Sequence, residues 1–182
     1  MSERVVRRSV AFDALLIVGA SAVIAIAAQI AIPIPFSPVP LTMQPLAVLL
    51  VGVVLGSKRG AAAAVLYLLE GVSGLPVFAQ GHAGAMWLAA PTGGYLMSYP
   101  FAAFVAGWFS ERGWGSNIGR AVTGMLVALA VIYAGGWMWL AALTDARSAF
   151  LMGVAPFVIA DIIKVAIGAA LLPFAQKLVT RN

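Results

Sequence analysis

The sequence predicts an all-α integral membrane protein with six transmembrane helices and both termini in the cytoplasm. Three observations lead to this fold class. The chain of 182 residues is 63% hydrophobic and only 9% charged, with a mean hydropathy of +1.02, and a soluble domain of this size cannot bury so much apolar surface. The apolar residues form runs long enough to cross a bilayer. The basic residues fall between these runs, as membrane topology requires.

Apolar length and loop signals place six spans at about 12–32, 41–57, 60–79, 84–109, 119–143 and 149–173. Residues 1–182 are expected to form one transmembrane domain. An even number of crossings puts both termini on one side, and the positive-inside rule makes that side the cytoplasm. Nine of the eleven basic residues then fall in internal segments: Arg4, Arg7, Arg8, Lys58, Arg59, Arg112, Arg120, Lys177 and Arg181.

The external connections are expected to shape a site that opens to the outer face. Between the first two spans, residues 33–40 contain four prolines, which fix φ and predict a stiff, extended cap. Between the third and fourth spans, residues 74–84 are rich in turn-forming residues. The fourth span contains Pro91-Thr92-Gly93-Gly94, which predicts a broken helix that presents backbone groups to a solute. A simple proline kink for packing is the alternative.

Asp161 and Lys164 lie in the last apolar run, which is the most informative feature of the chain. Each ionisable group near the middle of a membrane helix costs roughly 2.5–3.5 kcal/mol on insertion. A separation of three residues places both side chains on one helix face. The pair therefore indicates either solute recognition or a structural ion pair that locks helix packing.

Small residues recur at four-residue spacing in the first two spans. Ser21 and Ala25 lie in the first span, and Gly52, Gly56 and Gly60 lie at the end of the second and the start of the third. Such spacing lets helix backbones approach closely. Packing inside the chain is the simpler interpretation, and a face that docks another membrane protein is the alternative.

Composition excludes several function classes. The chain has no cysteine and one histidine, His82, which excludes thiolate chemistry and a multi-histidine metal centre. Gly56-Ser57-Lys58 does not satisfy a phosphate-binding loop. Ser73 in Gly71-Val72-Ser73-Gly74 fits an intramembrane serine protease poorly, because the only histidine lies in a loop nine residues later. No enzyme activity, cofactor, metal or nucleic-acid partner is therefore expected.

Four stretches, taken in order, resemble the BioY family, the biotin-specific S components of energy-coupling-factor (ECF) transporters. They are the segment from Pro33 to Gln44, the run Gly74-Leu75-Pro76-Val77-Phe78-Ala79, the run Pro91-Thr92-Gly93-Gly94-Tyr95-Leu96, and the pair Asp161-x-x-Lys164. Ala90 stands where the family is expected to carry glycine. Gln80 and His82 stand where members often carry a basic or strongly polar residue.

The resemblance implies a six-helix, multi-pass subunit of the bacterial plasma membrane that takes biotin from outside. It also implies a separate transmembrane coupling subunit and two ATPases as partners, docked through Ser21 and Ala25 on the first helix. Asp161 would accept the ureido N–H groups, and Lys164 would donate to the ureido carbonyl or to the carboxylate. The expected neighbours of the solute are Thr92, Tyr95, Gln44, Gln80, His82, Trp87 and Phe36.

Two other function classes stay open on the sequence. One is a proton-coupled secondary transporter of a small vitamin-like solute, in which Asp161 and Glu70 would carry protons. The other is a structural or assembly protein of the membrane that binds no small molecule and tolerates an apolar pair at positions 161 and 164.

Overall fold

The computed structural model describes residues 10–114 and 117–180, except the side chains of residue 171 and residues 173–180. The predicted internal cations Arg4, Arg7, Arg8 and Arg181, and the side chain of Lys177, lie outside these limits. The helices are α1 Val10–Gln29, α2 Gln44–Leu55, α3 Ser57–Val72, α4 Met86–Ala89, α5 Gly93–Glu111, α6 Ile118–Leu143, α7 Ala146–Gly153 and α8 Val158–Thr180. Strands β1 Ala31–Ile32 and β2 Leu41–Thr42 pair antiparallel. The all-α prediction is confirmed, with this short ribbon added at the base of the proline-rich connection.

Two of the described helices, α1 and α6, are each long and apolar enough to cross a membrane alone. The bent pair of α7 and α8 could form a third crossing. Helices α2 and α3 are shorter, with 12 and 16 residues, whereas a straight crossing takes about 20 residues. Membrane-crossing helices are therefore present, while six crossings with both termini in the cytoplasm stay a prediction, as does a single domain spanning residues 1–182.

Helix α2 is the core of the bundle, and eight of its twelve residues are buried. It crosses α3 and α5 at very short distance. A Cβ on Gly60 would lie 2.7 Å from the Cα of Gly52, and a Cβ on Gly52 would overlap the carbonyl of Ala103. Gly56 has φ +85° and ends α2, a conformation that favours glycine. The glycine stripe therefore serves packing inside the chain.

The predicted docking pair on α1 faces the interior. Ser21 is 1% exposed, and its hydroxyl donates to Glu70 Oε1 on α3 at 3.0 Å. Ala25 packs partly buried against the same core. These small side chains let α1 approach α3 closely, and docking of a partner through Ser21 and Ala25 stays a prediction.

The structure shows a turn after the third helix and confirms the predicted break in the fourth span. Helix α3 ends at Val72, and the chain turns at Gly74 with φ +102°. The fourth predicted span breaks into α4 and α5, because Ala90 is extended (φ −69°, ψ 167°) directly before Pro91. A residue that precedes proline is disfavoured in the helical region. The break is thus larger than a kink inside one continuous helix.

The sixth predicted span is also broken, which the sequence interpretation did not include. Helix α7 ends at Gly153 and α8 begins at Val158, with a bend of 48° between them. Pro156 lies inside the interruption, where a continuing helix would lose a hydrogen bond. Asp161 therefore lies in the first turn of α8 and not in the middle of one long helix.

Candidate substrate-binding site

A cavity of about 150 Å³ lies where the helix breaks and the connections meet. A site for one water needs roughly 10–15 Å³ on the same measure, so this cavity has room for a small organic solute. Seven parts of the chain contribute to it: the β1–β2 connection, the start of α2, the segment that follows α3, the helices α4, α5 and α6, and the start of α8. Its wall consists of Pro38, Val39, Pro40, Thr42, Gln44, Pro45, Phe78, Ala79, Gln80, His82, Trp87, Thr92, Tyr95, Leu96, Tyr99, Ile132, Tyr133, Phe157 and Asp161.

Asp161 is the acidic side chain of this wall, and it is only 4% exposed. Its Oδ1 accepts a bond of 2.8 Å from Lys164 Nζ, and its Oδ2 accepts a bond of 2.6 Å from the Tyr133 hydroxyl. An ionised carboxylate has about four acceptor positions. The two bonds leave acceptor capacity for an N–H donor in the cavity.

Lys164 does not line the cavity. Its ammonium lies between Asp161 Oδ1 at 2.8 Å and the backbone carbonyl of Thr42 at 2.7 Å. Both of these acceptors belong to the protein, so a direct contact between Lys164 and a solute stays a prediction. Lys164 supplies the charge that opposes Asp161 and ties α8 to β2.

Seven of the nine sequence-predicted binding residues meet on the cavity wall: Asp161, Thr92, Tyr95, Gln44, Gln80, His82 and Trp87. Two of them, His82 and Trp87, form a ring pair with a centroid distance of 3.8 Å. Gln44 donates to the Tyr67 hydroxyl at 2.6 Å, which fixes the amide at the start of α2. These contacts hold the side chains in place on the wall.

Phe36 is the second predicted residue that is absent from the wall. Its side chain is 66% exposed, while Pro38, Val39 and Pro40 of the same connection line the cavity. The neighbouring Ser37 hydroxyl donates to the carbonyl of Met152 at 2.7 Å. This bond directs the connection so that the residues after Ser37 face the cavity. Closure of Phe36 over a solute stays a prediction.

Tyr133 and Tyr99 are the main site residues that sequence reasoning missed. Tyr133 lies on α6 and touches Asp161, 28 residues away, and Tyr99 is buried on the cavity side of α5. A tyrosine within an apolar span was the available signal, but nothing local in the sequence shows which face of a span it occupies. Phe78, Leu96, Ile132 and Phe157 complete the apolar part of the wall.

The α7–α8 break is held by two side chains from elsewhere in the chain. The Tyr95 hydroxyl donates to the carbonyl of Gly153 at 2.7 Å, and Ser37 satisfies the carbonyl of Met152. Carbonyls at the end of a helix have no partner within that helix and need one from outside in an apolar setting. These bonds fix the start of α8, and with it the position of Asp161.

The interior of the cavity suits a neutral ring system with N–H donors. It has one carboxylate, several hydroxyl and amide groups, and aromatic and aliphatic surface. Within residues 10–114 and 117–180, no group of three or more acidic or histidine side chains is placed to hold a metal ion. Glu70, the second acid of the proton-coupled alternative, lies outside the wall and accepts from Ser21.

Comparison with known proteins gives consistent results. The model of the BioY family matches residues 1–181. A probable biotin transporter BioY from Pyrococcus horikoshii is 42% identical over 145 residues, which cover 80% of this chain and 84% of the relative. The biotin transporter BioY of Thermotoga maritima is 38% identical over 171 residues and 92% of each chain.

A solved structure has the same fold. The crystal structure of the S-component for biotin from an ECF-type ABC transporter superposes with a TM-score of 0.83 at 24% identity. The match covers 91% of this chain and 90% of that one. The predicted S-component-like architecture is confirmed by this similarity.

Proposed function

Because the chain belongs to the BioY family, we propose that it binds biotin in the cavity beside Asp161 and mediates biotin uptake across the membrane. The observation that carries the proposal is a buried carboxylate with free acceptor capacity on the wall of a preformed cavity. The curated relatives are named as biotin transporters, which supports biotin as the solute.

In this proposal, Asp161 accepts a hydrogen bond from the ureido ring. A hydrogen bond to a charged group contributes about 1.5–3 kcal/mol, and the cavity walls keep water away from it. Tyr133 and Lys164 already hold both oxygens of the carboxylate. Little side-chain entropy is then lost when biotin binds.

Lys164 acts on biotin through Asp161 and not by direct contact. A buried carboxylate without a partner is strongly destabilising, and Lys164 provides that partner at 2.8 Å. The remaining bond of Lys164, to Thr42, joins α8 to a strand that also lines the cavity. The cation thus positions the acceptor and one neighbouring part of the wall.

We place the carboxylate tail of biotin at the mouth of the cavity, near Gln80 and His82. Asp161 is buried, whereas Gln80 is exposed, so the two ends of the site differ in their access to water. A carboxylate costs far more to desolvate than a neutral ring system. The rings are therefore expected in the interior, against Trp87 and Tyr99.

Energy for uptake is proposed to come from other chains. The sequence has no phosphate-binding loop, and the fold is that of an S component. We propose that a transmembrane coupling subunit and two ATPase subunits power transport, and that the complex lies in the plasma membrane.

Calorimetric titration of the detergent-purified chain with biotin tests the binding proposal. We expect saturable binding with one site per chain, and weaker binding of desthiobiotin, which lacks the second ring. Proteoliposomes that contain the chain alone, and the chain with a coupling module and ATP, then separate binding from powered transport. Uptake that follows the proton gradient and needs no ATPase would contradict the powering scheme.

A further inference from the structure

Gln29, the last residue of α1, contacts the segment that covers one side of the cavity. Its side-chain Nε2 donates to the carbonyls of Phe78 at 3.2 Å and Val77 at 3.4 Å, and to Ala25 within α1 at 3.2 Å. Its Oε1 accepts from the Gly81 backbone N–H at 3.0 Å. One amide therefore holds the segment through both its donor and its acceptor.

The segment from Phe78 to His82, here called the covering loop, forms part of the cavity wall through Phe78, Ala79, Gln80 and His82. It closes on itself, since the N–H of Phe78 donates to the carbonyl of His82 at 3.0 Å. Gln80 has φ +61°, which is unfavourable for a residue with a side chain. Contacts from outside the loop therefore help to keep this shape.

The covering loop has one apolar anchor and one polar anchor. Phe78 is 2% exposed and packs edge-on against Tyr67, with ring centroids 5.7 Å apart. A Cβ on Gly71 would overlap the Phe78 ring, so this end fits tightly. Gln29 reaches past Phe78 to Gly81 and so fixes the part of the loop that the phenyl ring does not.

Helix α1 buries little of its surface against the bundle. Only Ala20, Ser21, Ile24 and Ala28 are buried along its 20 residues, and large side chains such as Ile26 are mostly exposed. A displacement of the end of α1 would carry Gln29 away from the covering loop.

We propose that Gln29 is a positioning residue, a latch that joins the end of α1 to the covering loop and sets how readily the loop opens. The solute that the loop retains is the biotin of the proposed function, on which this part of the inference rests. The latch itself is a property of the chain and can be measured without a solute.

Cysteine labelling tests the latch directly, because the chain contains no cysteine. Ala79→Cys places a single thiol on the covering loop, and its reaction rate with a maleimide is measured in detergent without biotin. Adding Gln29→Met removes the amide at similar length, and we expect labelling to accelerate about tenfold, as loss of two or three neutral hydrogen bonds predicts. The control is Ile26→Ala, one turn earlier on the exposed side of α1.

Gln29→Glu supplies a second, milder variant. A carboxylate can still accept from Gly81 but cannot donate to Phe78 or Val77, so an intermediate labelling rate is expected. Labelling that stays unchanged in both Gln29 variants, or that rises equally in Ile26→Ala, would overturn the latch.

Biotin dissociation rates then test whether the latch affects how long the site retains biotin. We expect Gln29→Met to release biotin faster, while the ratio of biotin to desthiobiotin affinity stays the same because Asp161 is untouched. If Gln29→Met accelerates labelling but the parent chain binds no biotin, the proposed function is contradicted and the latch is still supported. Faster labelling with an unchanged dissociation rate would show that the covering loop does not retain the solute.

Discussion

The Tyr95 hydroxyl lies 2.7 Å from the carbonyl oxygen of Gly153, the residue at which α7 ends. This bond links α5, which follows the α4–α5 break, to α7, which precedes the α7–α8 break. It places the ring of Tyr95 on the cavity wall and fixes the start of α8, where Asp161 lies. The geometry of the site thus depends on two interrupted helices that hold each other.

Tyr95→Phe tests this link. The ring stays, but the carbonyl of Gly153 loses its partner, which is expected to cost about 1–3 kcal/mol in a buried place. We expect a lower thermal midpoint in detergent and weaker biotin binding, since Asp161 is no longer held in position. An unchanged midpoint and affinity would show that the bond contributes nothing.

Gly136→Ala tests the packing behind the same ring. A Cβ at position 136 would overlap Tyr95, and overpacking a tight site costs about 1–3 kcal/mol. We expect displacement of the ring, with reduced stability and reduced biotin affinity. Gly19→Ala is the matched control, because a Cβ there meets nothing within 4 Å; equal effects of the two changes would contradict the packing account.

Two variants test whether Lys164 positions Asp161 or the pair recognises biotin. They are Lys164→Met alone and Lys164→Met combined with Asp161→Asn. The single change leaves a buried carboxylate without its cation, which is expected to cost about 3–5 kcal/mol and to lower the folded yield. The double change removes both charges, so size-exclusion profiles should recover while biotin binding stays lost. Biotin binding by the double variant would favour a purely structural pair.

Glu111→Ala tests whether stability and binding are separable. The Glu111 carboxylate accepts from the backbone N–H of Ser57 at 2.7 Å and also from its hydroxyl, which caps α3 and joins it to α5. Loss of a helix N-cap costs about 0.5–2 kcal/mol. A lower thermal midpoint with unchanged biotin affinity is expected from calorimetry and thermal scans, and a changed affinity would link this end of the bundle to the site.

Much of the fold could be predicted because its signals are local. Apolar length predicted the helices, and Pro91 with the glycines after it predicted the break before α5. The α7–α8 break had a comparable signal in Gly153 and Pro156, but the surrounding residues are so apolar that one continuous helix was the simpler interpretation. Periodicity alone does not detect such an interruption.

The sequence predicted which residues lie at the site better than it predicted what each of them contacts. Asp161 was correctly placed at a cavity, but the bond from Tyr133 spans 28 residues and that from Lys164 to Thr42 spans 122. Contacts of this range depend on how helices rotate and cross, which no local pattern specifies. For the same reason Lys164 and Phe36 were assigned to the solute, although the structure places one behind Asp161 and the other outside the cavity.

Titration of biotin into the Asp161→Asn protein tests the central claim most directly. Asparagine keeps the shape but loses the charge, and Asp145→Asn is the matched control, because asparagine also caps a helix well at the start of α7. We predict that Asp161→Asn weakens binding by at least about tenfold, roughly 1.4 kcal/mol, in a protein that still elutes as folded, while the control binds as the parent does. Equal affinity of Asp161→Asn and parent would contradict the assignment of this carboxylate to biotin.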